Sequence, residues 1–354
     1  MKYKFKTNLN FKNKVILTDG MIGGGKTLIA NLISGLRNVD PWIYDSNIER
    51  ICSLNSIKKI DLETSADLLK KNLNEKYFDN FILRHVNYRK QDLSSVLNNI
   101  RLKDIEKRKN LSDEVAKRKI KKTKMCLQYM THKNSPYAEP IFKACGKQLL
   151  YVLILRNPYN IYTINWLARW MKLFEKFDAR DGRINFYSSK HKINFPFEIK
   201  KKEVDHFYKL NNYEKSIFLM EYYYYVSVKK IITFSKKYGS NYIIVPFENL
   251  TQNPEKYLKK ISKILKIKID KLAKKNMKVN NVPRINPEQK IISLVYNFSK
   301  NFPKESKNLG QKNLTVKNLK KIKYKFLKNK INDIFFKKIL KLEKFYLGKI
   351  LSKF

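Results

Sequence analysis

The run Gly20-Met21-Ile22-Gly23-Gly24-Gly25-Lys26-Thr27 satisfies G-x-x-x-x-G-K-[ST] with no mismatch. Glycines let several backbone N–H groups converge on one anion, because no side chain stands between them. A helix opening directly after the turn adds its unpaired N–H groups and the positive end of its dipole. Lys26 brings a mobile positive charge, and Thr27 a hydroxyl that can donate to an oxygen or reach a metal. The chemistry expected is capture of a phosphate or sulfate; the competing reading is a tight structural turn.

The loop does not say which anion. An ATP or GTP engine also needs a carboxylate for Mg²⁺ at the end of a nearby strand. Two later apolar runs end in Arg156 and in Pro246-Phe247-Glu248, and neither gives a strand followed by Asp. An arginine leaving the carboxyl end of a buried strand is well placed for a ligand, since α/β sheets bind ligands beyond those ends. Arg156 and Lys26 are therefore expected to face one crevice, which suits a donor carrying two separated anionic groups. A salt-bridged structural arginine is the alternative. Arg84, Asn87 and Arg89 form a polar cluster after the short run FIL, suited to an anionic or sugar acceptor or simply to solvent.

These residues need elements to hold them. Val15 to Thr18 reads as a buried strand, and Leu28, Ile29, Leu32, Ile33 and Leu36 recur at helical spacing after the loop. Residues 61–125 are charged and mostly helical, and read as an exposed helix or helical hairpin. Leu149 to Leu155 is continuously apolar, as in a parallel sheet covered on both faces. Asn157-Pro158 turns the chain into a helix from about Asn160 through Trp170. Residues 178–202 read as a loop or insertion, Asn211 to Lys237 as a long helix, Tyr242 to Pro246 as a strand, and Pro254 opens a helix to about Leu265. Three strand–turn–helix units predict a three-layer parallel α/β sheet with helices on both faces.

Four segments in this order resemble the PAPS-dependent sulfotransferase family: VILTDGMIGGGKTLIANLI, Tyr129-Met130-Thr131-His132, LLYVLILRNPYNIYTINW and YIIVPFENLTQNPEKYLKKISKIL. Together they span most of the chain from Val15 to Leu265. The resemblance implies a P-loop NTPase-like sulfotransferase fold and transfer of a sulfuryl group from PAPS to a hydroxyl of a glycan or small molecule, with no metal. It implies that Gly23, Gly24, Gly25, Lys26, Thr27 and Leu28 hold the 5′-phosphosulfate, with Lys26 doing the work of a lysine that many members place where Gly23 stands. Arg156 would take the 3′-phosphate. The usual partner serine eight residues on is Ile164 here, so Thr163 or Asn165 would substitute. His132, 24 residues before Arg156, would be the general base, since an imidazole with a pKa near 7 can take a hydroxyl proton. His85 and Glu139 are rival bases, and a lone His in a polar turn can also be a surface residue. Lys26 would neutralise charge on the transferring group. Arg284, in NNVPR, would close over the nucleotide from the C-terminal side.

Composition frames the alternatives. The 354 residues carry 76 Lys+Arg against 30 Asp+Glu, a net charge of +46. That field attracts polyanions, yet the lysines are spread along the chain, as a codon bias toward Lys, Asn, Ile and Tyr would also produce. A P-loop kinase or NTPase using ATP and Mg explains Gly20 to Thr27 and leaves Arg156 unexplained. A basic nucleic-acid- or membrane-binding protein leaves the loop unexplained, and no recognised nucleic-acid motif is present. Cys52, Cys126 and Cys145 are odd in number and lack a CxxC pair, against a disulfide framework or zinc site. No apolar run approaches the roughly 20 residues of a membrane span, and a cytoplasmic location is expected. The domain reading is an α/β domain over residues 1–300, and a Lys-rich helical extension over 301–354. The extension carries apolar residues at Ile331, Phe335, Ile339, Leu342, Tyr346 and Ile350, suited to packing on its own domain or to peripheral contact with an anionic membrane.

Overall fold

The computed structural model describes residues 5–174, 184–284 and 323–354. Its centre is a five-stranded, wholly parallel sheet. In chain order the strands are β1 (Val15–Gly20), β2 (Ile43–Tyr44), β3 (Leu127–Met130), β4 (Leu149–Leu155) and, after a small antiparallel hairpin of β5 (Asn185–Ser188) and β6 (Ile193–Pro196), β7 (Asn241–Pro246). The spatial order is β2-β3-β1-β4-β7. The chain thus runs from β1 to the edge strand β2, returns to place β3 between them, then crosses to the other side, and the switch falls between β1 and β4.

The uninterrupted apolar run of β4 has a direct cause. Leu149, Tyr151, Leu153 and Leu155 enter one core cluster, and Leu150, Val152 and Ile154 the other. Side chains alternate across a strand, so a strand covered on both faces is apolar at every position. One face is covered by α1 (Lys26–Ser34), α11 (Pro254–Leu265) and α12 (Lys271–Val279). The other is covered by α2 (Ser46–Ser56), α3 (Leu62–Phe81), α6 (Glu139–Cys145), α7 (Ile161–Phe174) and the 27-residue α9 (Asn212–Tyr238). Short helices α4 (Leu102–Glu106), α5 (Asp113–Lys122), α8 (Val204–Lys209) and α10 (Phe247–Gln252) lie between these, and a helical stretch at 323–328 precedes the C-terminal helix Asp333–Tyr346.

The expected three-layer parallel architecture is therefore the one observed. Three features differ from the sequence reading. Strands β2 and β3 are too short, at two and four residues, to give a periodic signal. Within the charged 61–125 stretch, α3 buries Ala66, Leu69, Leu73 and Tyr77 in the main core, so its first third is structural, while α5 is largely exposed. The stretch 178–202 holds the β5–β6 hairpin among its described residues.

The described part of the Lys-rich C-terminal segment belongs to the same core. Ile331, Phe335, Ile339, Leu342, Tyr346 and Ile350 are all buried in the cluster that also contains Tyr151 and Tyr224. The Tyr346 hydroxyl donates to Glu248 and lies 3.3 Å from Leu155 O, and Glu248 in turn accepts from Asn157 N. That apolar stripe is thus used inside the protein, while Ile334, Leu340 and Leu347 stay exposed beside the lysines. No helix among the described residues is long and apolar enough to cross a membrane.

Replacing fully buried Ile339 by Ala is expected to lower unfolding free energy by about 2–5 kcal/mol, measured by chemical denaturation. An appended helix independent of the domain would leave the main transition unchanged.

Candidate anion and proton-transfer site

The site forms where β3, β1 and β4 end side by side. Parallel pairing sets Thr18 against Met130 and Gly20 against Ile154. His132 and Arg156 therefore stand just past the strand ends on either side of the glycine loop, and Thr131 N and Lys133 N donate to Thr18 O and Gly20 O across the β1–β3 seam.

The loop is shaped by close approach. Gly25 adopts φ +95°, and a Cβ there would lie 2.2 Å from a carbon of the Phe247 ring. A side chain at this position would be strained and displaced at once. Gly25 is also the N-cap of α1, and no side chain caps that helix, so its first-turn N–H groups lack the partner that a capping residue supplies. Thr27 and Leu28 follow in this first turn, both half-buried.

Lys26 is only 5% exposed. Its ammonium donates to Gly20 O (3.1 Å) and Met21 O (2.8 Å), inside the loop it would serve. Burial pulls its pKa down to about 8, opposed by Asp19 and Glu49 and assisted by Lys133. It remains a cation at neutral pH, although a weakly held one.

Arg156 is 3% exposed. Its Nη1 donates to Gly23 O at 3.0 Å, and its guanidinium lies over the Phe247 ring at 4.2 Å and the Tyr162 ring at 5.1 Å. Arg156 thus sits against the glycine turn. Thr163 Oγ1 reaches the same Gly23 carbonyl at 3.4 Å, whereas Asn165 accepts from the Tyr213 hydroxyl and Ile164 is buried in the core. Of the two proposed substitutes, only Thr163 joins Arg156 at the loop.

His132 is held by a residue the sequence reading missed. Glu49, buried on α2, accepts from His132 N and from His132 Nδ1 (3.2 Å), while its other oxygen accepts from the Tyr44 hydroxyl (3.0 Å). A carboxylate only accepts, so Nδ1 carries the proton and Nε2 keeps its lone pair. Tyr44 also packs edge-on against the imidazole. Withdrawal from water, with Lys26 nearby, holds the His132 pKa below 6.5, against the opposing pull of Glu49. The ring is neutral at pH 7, as a proton acceptor must be.

Asp19 is the second missed residue. Fully buried at the end of β1, it accepts from Thr131 Oγ1, Asn134 N, Ser135 N and the Tyr223 hydroxyl at 2.8–3.2 Å. Four donors fix the turn that carries His132. Asp19 and Glu49 were legible only as lone acids, with no spacing to single them out.

Other candidates lie elsewhere. Arg84 pairs with Asp79 and Asp113, Arg89 with Asp92, and the Asn87 amide donates to Asp92 and Ser94; these contacts stay within residues 79–113. His85 pairs with Asp79 on the same exposed corner. Glu139 accepts from Lys237 and the Tyr238 hydroxyl. Arg284 donates its backbone N–H to Thr251 O and its Nε to Asn281 O, which ties it to the end of α10. Among the described residues no group of three or more His, Cys, Asp or Glu could hold a metal ion.

No protein-family model matches the chain, and no curated protein matches it. In structure it is similar to the sulfotransferase domain from the Synechococcus PCC 7002 olefin synthase, with 11% identity, a TM-score of 0.38, and coverage of 92% of this chain and 98% of that one. It is also similar to the sulfotransferase domain from the curacin biosynthetic pathway (12% identity, TM-score 0.35, 74% and 77%) and to sulfotransferase STF9 from Mycobacterium avium (12%, 0.35, 90% and 76%).

Glu49→Gln removes the charge that favours imidazolium. The His132 pKa, followed by NMR titration of the ring proton, is expected to fall below its wild-type value. An unchanged or higher value would show that Glu49 does not govern this ring.

Proposed function

We propose that this chain is a sulfotransferase that moves a sulfuryl group from PAPS to a hydroxyl acceptor. One observation carries the reading: two buried cations, Lys26 at the start of α1 and Arg156 just past β4, meet at a single glycine loop, with a neutral imidazole beside it. A donor with a phosphosulfate at one end and a phosphate at the other needs a cation for each.

The residues present suit that donor. Gly23, Gly24, Gly25 and the first-turn N–H groups of Lys26, Thr27 and Leu28 would hold the phosphosulfate. Arg156 and Thr163 would hold the 3′-phosphate, exchanging their shared contact with Gly23 O for the ligand. PAPS supplies the sulfuryl group and departs as the bisphosphate with the bonding electron pair. His132 Nε2 takes the proton from the acceptor hydroxyl as its oxygen bonds to sulfur. Glu49 positions the ring through Nδ1 and stabilises the imidazolium formed. Lys26 offsets charge gathering on the bridging oxygen. Arg284 is proposed to approach the nucleotide from the end of α10.

The kinase reading needs a carboxylate turned toward a metal beside the loop. Asp19 and Glu49, the acids whose charge acts on Lys26, instead accept from the 131–135 turn, Tyr223, Tyr44 and His132.

The pH profile tests the assignment. The profile of kcat/KM reports groups in the free enzyme. The acid limb should fall below 6.5, where His132 gains a proton, and the alkaline limb near 8, where Lys26 loses one. Lys26→Arg should push the alkaline limb upward, because guanidinium stays charged. Activity that stays flat to pH 10, or an alkaline limb unmoved by Lys26→Arg, would remove Lys26 from the site.

A further inference from the structure

A cavity of about 510 Å³ opens beside this site, between the 133–137 turn, residues 197–203 and α9. Its walls include Tyr137, Phe197, Phe218, Tyr222 and Tyr225. Tyr137 meets Phe197 edge-on at 4.9 Å and lies nearly parallel to Tyr222 at 6.3 Å. Such spacing offers flat faces to a flat ligand.

Two contacts join the cavity to the transfer site. Lys133 lines the cavity, follows His132 directly, and lies near enough to Lys26 to repel its charge. Tyr223 lines it as well, and its hydroxyl donates to Asp19 at the end of β1.

The charge of the lining departs from that of the chain. Three lysines, Lys133, Lys200 and Lys338, face three glutamates, Glu198, Glu203 and Glu221. Lys133 pairs with Glu198 and Lys338 with Glu221, both at 2.9 Å, and Glu203 accepts from Lys200 N at 3.0 Å. In a protein of net charge +46 this lining sums to zero, and its carboxylates are engaged. An anionic glycan would meet no net attraction here, whereas an uncharged ring would bury apolar area against a lining of six aromatic residues.

We propose that this cavity is the acceptor site and that the acceptor is an uncharged aromatic alcohol or phenol. The proposal rests on the sulfuryl-transfer reading for the fate of the hydroxyl, but the binding itself does not need the donor.

The test is calorimetric titration of the full chain with 4-phenylphenol, with a heparosan hexasaccharide, and with adenosine 3′,5′-bisphosphate. Wild type is compared with Val226→Trp, which fills the cavity from its wall, and with Tyr222→Ala, which removes a 43% exposed ring without opening the core. 4-Phenylphenol is expected to bind wild type and to weaken at least about tenfold in both variants, with bisphosphate affinity within about twofold. Undiminished 4-phenylphenol binding in Val226→Trp, no binding to wild type, or hexasaccharide binding lost in Val226→Trp would overturn the proposal. Absent bisphosphate binding in wild type, with 4-phenylphenol still blocked by Val226→Trp, would overturn the donor reading while leaving the aromatic cavity standing.

Discussion

The parallel register of β1 between β3 and β4 is the constraint on which the site depends. Hydrogen-bonded pairing sets Gly20 beside Ile154 and Thr18 beside Met130. Residues just past those ends, Lys26 through its loop, Arg156 and His132, then have no choice but to gather at one edge of the sheet. A slip of one residue in β4 would turn every side chain to the opposite face, and the two core clusters that β4 divides would both be lost. Packing and site geometry are thus fixed by the same bonds.

Burying four charged side chains at one edge has a cost, and the structure offsets it locally. Asp19 is surrounded by donors, Glu49 by His132 and Tyr44, Lys26 by two loop carbonyls, and Arg156 by Gly23 O and two aromatic faces. Buried charges left without partners would change protonation state or destabilise the fold. The acids accept from side chains and backbone N–H groups of the fold, whereas both cations donate to carbonyls of the glycine loop, contacts that an anion can replace.

Much of this was legible. The glycine loop, the β4 run and the arginine after it each follow from short local patterns, and the helices α7, α9 and α11 appear within a few residues of their expected ends. What stayed hidden is non-local. Glu49 lies 83 positions from His132 and Tyr223 lies 204 from Asp19, so no periodicity links them. Phe247 reads as an ordinary apolar residue after a strand, and only the fold reveals it against both Gly25 and Arg156. The carboxylates that Arg84, Asn87 and Arg89 meet, Asp79, Asp92 and Asp113, likewise carry no signal in the sequence that pairs them with these residues.

Arg156 touches Gly23 O, so it can serve the loop, the ligand, or both. The decisive measurement compares the affinity of wild type and Arg156→Ala for adenosine 3′,5′-bisphosphate and for adenosine 5′-monophosphate, which lacks the 3′-phosphate. A charged hydrogen bond to phosphate is worth roughly 1.5–3 kcal/mol, about tenfold or more in affinity. The account predicts that loss for the bisphosphate and little change for the monophosphate. Equal losses for the two ligands would mean that Arg156 only braces the loop, and the doubly anchored nucleotide would be wrong.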